Sequence, residues 1–232
     1  MSQVPPPPPP ASPPPPPSNA PIGGASAPLN IGDAVGYGWN AFAKNVGPLI
    51  LVTLAVFVPS ILLNLIAQAS GSLFISLFFS LAAAVVSFVL GFGLLRAALL
   101  VTRGETPVPA DLFKTDGLGA YFVASILYGI GLYVGLIFCI IPGIFFAVVF
   151  HFYGFVCIDN PQTGAVDSLK RAAQITEGHR GTLFGLMVLL FVINFVGAVL
   201  CGVGLLATIP ITVVASAYAY KTLTGQSVAP VQ

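Results

Sequence analysis

Residues 73–101 read LFISLFFSLAAAVVSFVLGFGLLRAALLV, an apolar stretch whose only charged side chain is Arg96. A helix needs about 20 apolar residues to cross a hydrocarbon core of about 30 Å. This segment has enough to span, and to tilt or run on beyond the core. The rest of the chain from residue 48 follows the same pattern. Pro48–Gln68 precedes it as a first run. Ala120–Cys139 and Ile141–Ile158 follow, divided by Pro142-Gly143. Thr182–Cys201 and Leu205–Lys221 close the series, divided by Gly202-Val203-Gly204. Runs four and six are short. The pattern predicts an all-α membrane protein of about six transmembrane helices arranged as three hairpins. Ile141–Ile158 is also open to reading as half of a re-entrant hairpin.

Composition points the same way. Hydrophobic residues make up 56% of the 232 residues and charged residues 6%, against about 25% charged in a soluble domain. Such a chain cannot cover its surface with polar groups, so membrane lipids are its expected surroundings. A net charge of +1 leaves no clustered basic face for nucleic acid. Cys139, Cys157 and Cys201 lie inside apolar runs and read as small hydrophobes.

Charge placement sets the expected orientation. Leaving aside Arg96, the basic residues are Lys44, Arg103, Lys114, Lys170, Arg171, Arg180 and Lys221. All fall before run one, at the closing boundary of run six (Lys221), or in the loops Thr102–Gly119 and Asp159–Gly181. The alternate turns, 69–72, 140–143 and 202–204, carry no charge of either sign. The expectation is a multi-pass protein of the plasma membrane with both termini cytoplasmic.

Residues 1–29 form a region of their own, with prolines at 5–10 and 13–17. Proline lacks the N–H that a helix needs, so this region reads as a disordered, cytoplasmic polyproline tail and not as a signal peptide. It is a candidate ligand for a protein partner with an aromatic-lined groove, or a plain spacer. Residues 30–224 form the membrane domain and 225–232 a short C-terminal tail.

An amphipathic segment carrying an aspartate precedes each pair of runs, and each reads as an interfacial helix. The first is Asn30–Asn45, with Asn30 as cap and Ile31, Val35, Trp39, Phe42 and Val46 on one stripe. The third is Pro161–Arg180, capped by Asn160, with Val166, Leu169 and Ala173 on one face and Asp167 spaced to pair with Lys170 or Arg171. The middle copy, Pro109–Lys114, is shorter.

Ionisable groups inside a bilayer are costly and therefore mark candidate sites. His151 falls within run four. It reads either as a neutral histidine bonded across helices, to Asn194 or Tyr128, or as a proton- or ligand-binding group. Arg96 reads chiefly as a side chain that snorkels to the interface. Asn64 and Asn194 read as hydrogen-bonding residues between helices, and Gly131/Gly135 and Gly181/Gly185 as sites of close helix approach. His151, Arg96 and Asn194 form the candidate intramembrane polar site. No paired intramembrane carboxylates, metal-ligand spacing or phosphate loop occurs, so no catalytic residue and no cofactor is expected.

Gly32-Asp33-Ala34-Val35-Gly36-Tyr37-Gly38-Trp39-Asn40, Lys44-Asn45, Pro142-Gly143 and Ala217-Tyr218-Ala219-Tyr220 carry a resemblance. Over about residues 30–224 the chain resembles the proline- or proline–glycine-rich integral membrane proteins of actinobacteria. More distantly, it is similar to the membrane-anchor region attached to some bacterial glycerophosphoryl diester phosphodiesterases. The soluble phosphodiesterase domain is absent from these residues, so the resemblance implies fold and plasma-membrane location and not that activity. The expected function is non-enzymatic: a scaffold or accessory subunit with a cytoplasmic polyproline tail, or else a small transporter or lipid-handling protein.

Overall fold

The computed structural model describes residues 29–200 and 202–231. The polyproline tail therefore lies outside the described residues, apart from Leu29, and so does Cys201. Every regular element among the described residues is helical. Helices α1 (Ile31–Lys44), α2 (Val46–Ala69) and α3 (Leu73–Thr102) come first, followed by a 3-10 turn (Pro109–Phe113). Then come α4 (Leu118–Phe138), α5 (Ile140–Val149), α6 (Tyr153–Asp159), α7 (Ala165–Thr176), α8 (Arg180–Val199) and α9 (Leu205–Leu223).

Five segments are long and apolar enough to cross a membrane: α2, α3, α4, the α5–α6 pair over Ile140–Asp159, and α8. Their outward surfaces are a sheet of Leu, Ile, Val and Phe, with Phe74, Ile137 and Phe138 all more than three-quarters exposed. That arrangement is unfavourable in water and natural in lipid.

The sixth run behaves differently from the others. Helix α9 is not among the five, because its sequence is rich in Ala, Ser, Thr and Tyr. Those residues face protein. Ile211, Val214, Ala215, Ala217, Ala219 and Tyr220 are nearly inaccessible. α9 packs against α1, α2, α3, α7 and α8 as the central post of the bundle. Small side chains at a helix–helix contact let backbones approach closely. The low hydropathy of run six is thus the mark of a helix shielded from lipid.

Helix α1 begins as the sequence indicates, with the Asn30 side chain accepting from the Gly32 N–H at 2.9 Å. Its buried face is not the expected stripe. Ala34, Gly38 and Ala41 face inward, whereas Trp39 is 60% exposed. Gly38 lies so close to α9 that a Cβ would collide with the Ile211 carbonyl and the Ala215 side chain. Helix α7 also departs from expectation. It starts at Ala165 rather than Pro161, with Gly164 in the N-cap position, and buries Ser168, Ala172, Ile175 and Thr176 while Val166 points out. Both buried faces are set by helix–helix contact, which selects small residues, whereas the expected stripes followed hydrophobicity alone. The Asp167–Lys170 pair is present at 3.4 Å and exposed. The middle copy is a 3-10 turn whose Leu112 is buried against Gly93 of α3.

The α4–α5 hairpin closes on the glycines read from the sequence: Gly131 sits under the Phe146 ring and Gly135 against Gly143. Gly185 meets Ile31 of α1, whereas Gly181 has open space around it. Asn64 turns back onto its own helix, donating to the Ser60 carbonyl. The α2–α3 hydrogen bond is instead Ser87 to Ser60, at 2.8 Å. The C-terminal residues are tied down. Ala229 N–H donates to Thr102 O, Tyr37 donates to Ala229 O and Lys44 to Val231 O. Gln226 reaches Asp159, which also receives Arg103 at 2.8 Å and Tyr220 at 3.1 Å.

Candidate functional site

Run four is broken. Between α5 and α6 the residues Phe150-His151-Phe152 leave the helical path. Non-helical backbone at membrane depth is tolerated where protein or a cavity satisfies it. Here the hydroxyl of Thr176, the last residue of α7, is shared between the Val149 carbonyl and the Ala173 carbonyl of its own helix, each at 3.0 Å. An aromatic stack braces the break on the other side. Tyr153 lies between Tyr121 and Tyr128 of α4, and its hydroxyl is 3.1 Å from Ser125 Oγ. Tyr128 is thus engaged with Tyr153 and Phe146, not with His151.

The break aims His151 into a cleft of about 330 Å³. Leu95 of α3 and Phe155 of α6 line it, as do Met187, Leu190, Phe191 and Asn194 of α8 and Thr212, Val213 and Ser216 of α9. Two of the candidate residues, His151 and Asn194, therefore meet in one cavity. The direct partner of His151 is Ser216, with Nε2 at 3.4 Å from Oγ. Ser216 donates its own proton to the Thr212 carbonyl at 3.0 Å. His151 and Ser216 therefore form one polar contact on the wall of the cleft. Asn194 donates to Leu190 O at 3.0 Å and to Thr212 Oγ1 at 3.1 Å, and Thr212 passes its proton to Ile209 O. The Asn194 Oδ1 atom is buried with no donor. The wall of the cleft thus holds one buried acceptor without a donor, Asn194 Oδ1, near the His151–Ser216 contact. Buried polar atoms left unpaired are uncommon and costly.

Arg96 does not join this cleft and reaches instead toward the loop that follows α3. It is 9% exposed, lies over the Phe92 ring, and donates to the Asp116 carbonyl at 2.7 Å and the Asp116 carboxylate at 3.3 Å. Its role is to tie the loop after α3 to that helix. In the same loop the Lys114 hydrogen bond holds the Asp111 carboxyl below the usual carboxylate range. Ser216 and Thr212 were missed by sequence reasoning. Their signal was a run of small hydroxyl residues in an apolar helix.

Among the described residues no group of three or more His, Cys, Asp or Glu is placed to hold a metal ion. Cys157 is buried and Cys139 exposed, both as free thiols.

A family model matches residues 77–231, from within α3 to the tied-down C-terminus, and so includes every residue lining the cleft. The chain belongs to the family described as the domain of unknown function DUF7847. Among curated proteins, this DUF7847 member is 28% identical over 236 residues to uncharacterized protein Rv2560 of Mycobacterium tuberculosis. The alignment covers 88% of this chain and 71% of that relative. Uncharacterized protein Mb2590 of Mycobacterium bovis matches to the same extent. No solved structure matches the chain.

Proposed function

We propose that this DUF7847 protein is a non-enzymatic, multi-pass membrane protein that handles a lipid-like molecule. In this reading the polar, hydrogen-donating part of the ligand, a hydroxyl or amine, sits in the cleft at His151. The carrying observation is the cavity of about 330 Å³ reaching a helix break, with His151, Ser216 and the undonated Asn194 Oδ1 set in otherwise apolar walls. Ligand pockets run from about 300 Å³ upward and pair apolar walls with a few polar groups. This one is the size of a headgroup or a small molecule, and not of a whole phospholipid. The side chains at its edge favour entry from the bilayer, since Phe191 is 70% exposed. The cleft moves the reading from scaffold toward lipid handling. The polyproline sequence of residues 5–17 still supports a protein partner, which affinity purification with and without residues 1–29 tests. Placement in the plasma membrane with cytoplasmic termini belongs to the same proposal and rests on the charge bias.

Photoreactive, clickable hydroxyl-bearing lipid analogues in cell membranes test the cleft. Adducts are expected on peptides spanning residues 187–194 and 209–216, reduced in His151→Ala and in Ser216→Leu, which fills the cavity. Equal labelling in wild type and both variants, or labelling confined to other helices, would rule out this site.

A further inference from the structure

A second groove lies away from the His151 cleft. Its volume is about 400 Å³, and its walls are Ile141, Ile144, Phe145 and Val148 of α5 with Gly181 and Phe184 of α8. In a bundle of upright hairpins, residues just after the 138–140 turn would sit level with the far end of α8. They lie instead beside its first turn. The groove is apolar except at one point, where Arg180 stands.

Arg180 differs from most of the other cations. Arg96, Arg103, Lys114 and Lys170 each have a carboxylate within salt-bridge distance. Lys44 and Lys221 are anchored on backbone carbonyls. Arg180 has neither a carboxylate nor a hydrogen-bond acceptor for its buried Nε among the described residues. Glu177, three residues earlier, makes no ion pair with it. The guanidinium is held 5.3 Å from the Phe145 ring centroid, across the mouth of the groove. A cation pinned over an aromatic ring at the end of an apolar trough complements a molecule with an anionic head and a hydrocarbon chain. Arg171 also lacks a carboxylate, but it does not line this groove.

We infer that the α5–α8 groove is a binding site for an anionic phospholipid, its phosphate on Arg180 and part of one acyl chain along Ile141, Phe145 and Phe184. The site is separate from the His151 cleft and does not depend on it.

The full chain, purified in neutral detergent, is titrated with phosphatidylglycerol or phosphatidylcholine. Lipid retention is read by native mass spectrometry, and stability by thermal unfolding. Phosphatidylglycerol is expected to be retained and to raise Tm, and phosphatidylcholine to do neither. Arg180→Gln should weaken phosphatidylglycerol retention about five-fold, the loss of one cation at a membrane surface. Arg180→Lys, with the charge kept, should retain most of it. Arg171→Gln should bind as wild type, and in a His151→Ala background, where the cleft holds no lipid hydroxyl, Arg180→Gln should still lower retention about five-fold, so failure here and failure of the cleft reading are distinguishable. If Arg180→Gln lowers Tm without lipid, Ile144→Trp, which blocks the trough and leaves the cation, replaces it and should lose the lipid. Equal retention of both lipids, unchanged retention in Arg180→Gln, or the same Tm rise from inorganic phosphate alone overturns the proposal.

Discussion

Single residues decide the chemistry of this molecule, and Thr176 shows how. A break in a membrane helix frees carbonyls that water cannot reach. Thr176 supplies the missing donor to Val149. Thr176→Val keeps the shape and removes the hydroxyl, leaving that carbonyl unsatisfied at a cost of about 1–3 kcal/mol. Thermal unfolding in detergent should show the lowered Tm. An unchanged Tm would mean that the break is held by the aromatic stack alone. His151 and Asn194 were legible in the sequence because polar groups stand out in apolar runs. Their being neighbours was not, since residues 43 positions apart in sequence meet only through the kink and the α8–α9 hairpin. The lack of a donor to Asn194 Oδ1 was likewise invisible, because it depends on where Thr212 sends its own proton.

At the level of elements, the helices were legible from hydropathy but their inward faces were not. In water, the apolar stripe is the buried one. In lipid, large apolar side chains face outward, and the face that packs is the smoothest. For α1 that face is Ala34, Gly38 and Ala41. Gly38→Leu should separate α1 from α9, costing about 3 kcal/mol or more since the collision is with backbone. Gly36→Leu, two residues away with nothing near its Cβ, should be neutral. Circular dichroism melts of the two variants compare them directly, and equal effects would contradict the α1–α9 contact. The same rule explains α9, whose modest hydropathy reflects its place among other helices.

Across the whole molecule, the charged loops gather. Arg103, Asp159, Tyr220, Gln226, Lys221 and Lys44 hold the ends of α1, α3, α6 and α9 together with the C-terminal residues. The charge bias of the sequence implies that this face is cytoplasmic. Single cysteines introduced at Ser70 and Thr163, in a chain with its native cysteines replaced, test it. A membrane-impermeant thiol reagent added outside intact cells should label the first and spare the second. Labelling of both from the same side would refute the hairpin alternation of the flanking helices.

Composition and run length by themselves determined that this chain is helical and suited to a membrane, because only helices and closed barrels satisfy the backbone in lipid, and barrel strands are about 10 residues long and alternate in polarity. The position of the charges gave its expected orientation. Only the tertiary structure decided which helix is central, which faces meet and where run four breaks. Those outcomes depend on side-chain volume and hydrogen-bond partners far apart in sequence, which hydropathy does not register. The cleft at His151 and the cationic groove at Arg180 both lie against that broken run, the first at the break and the second along α5.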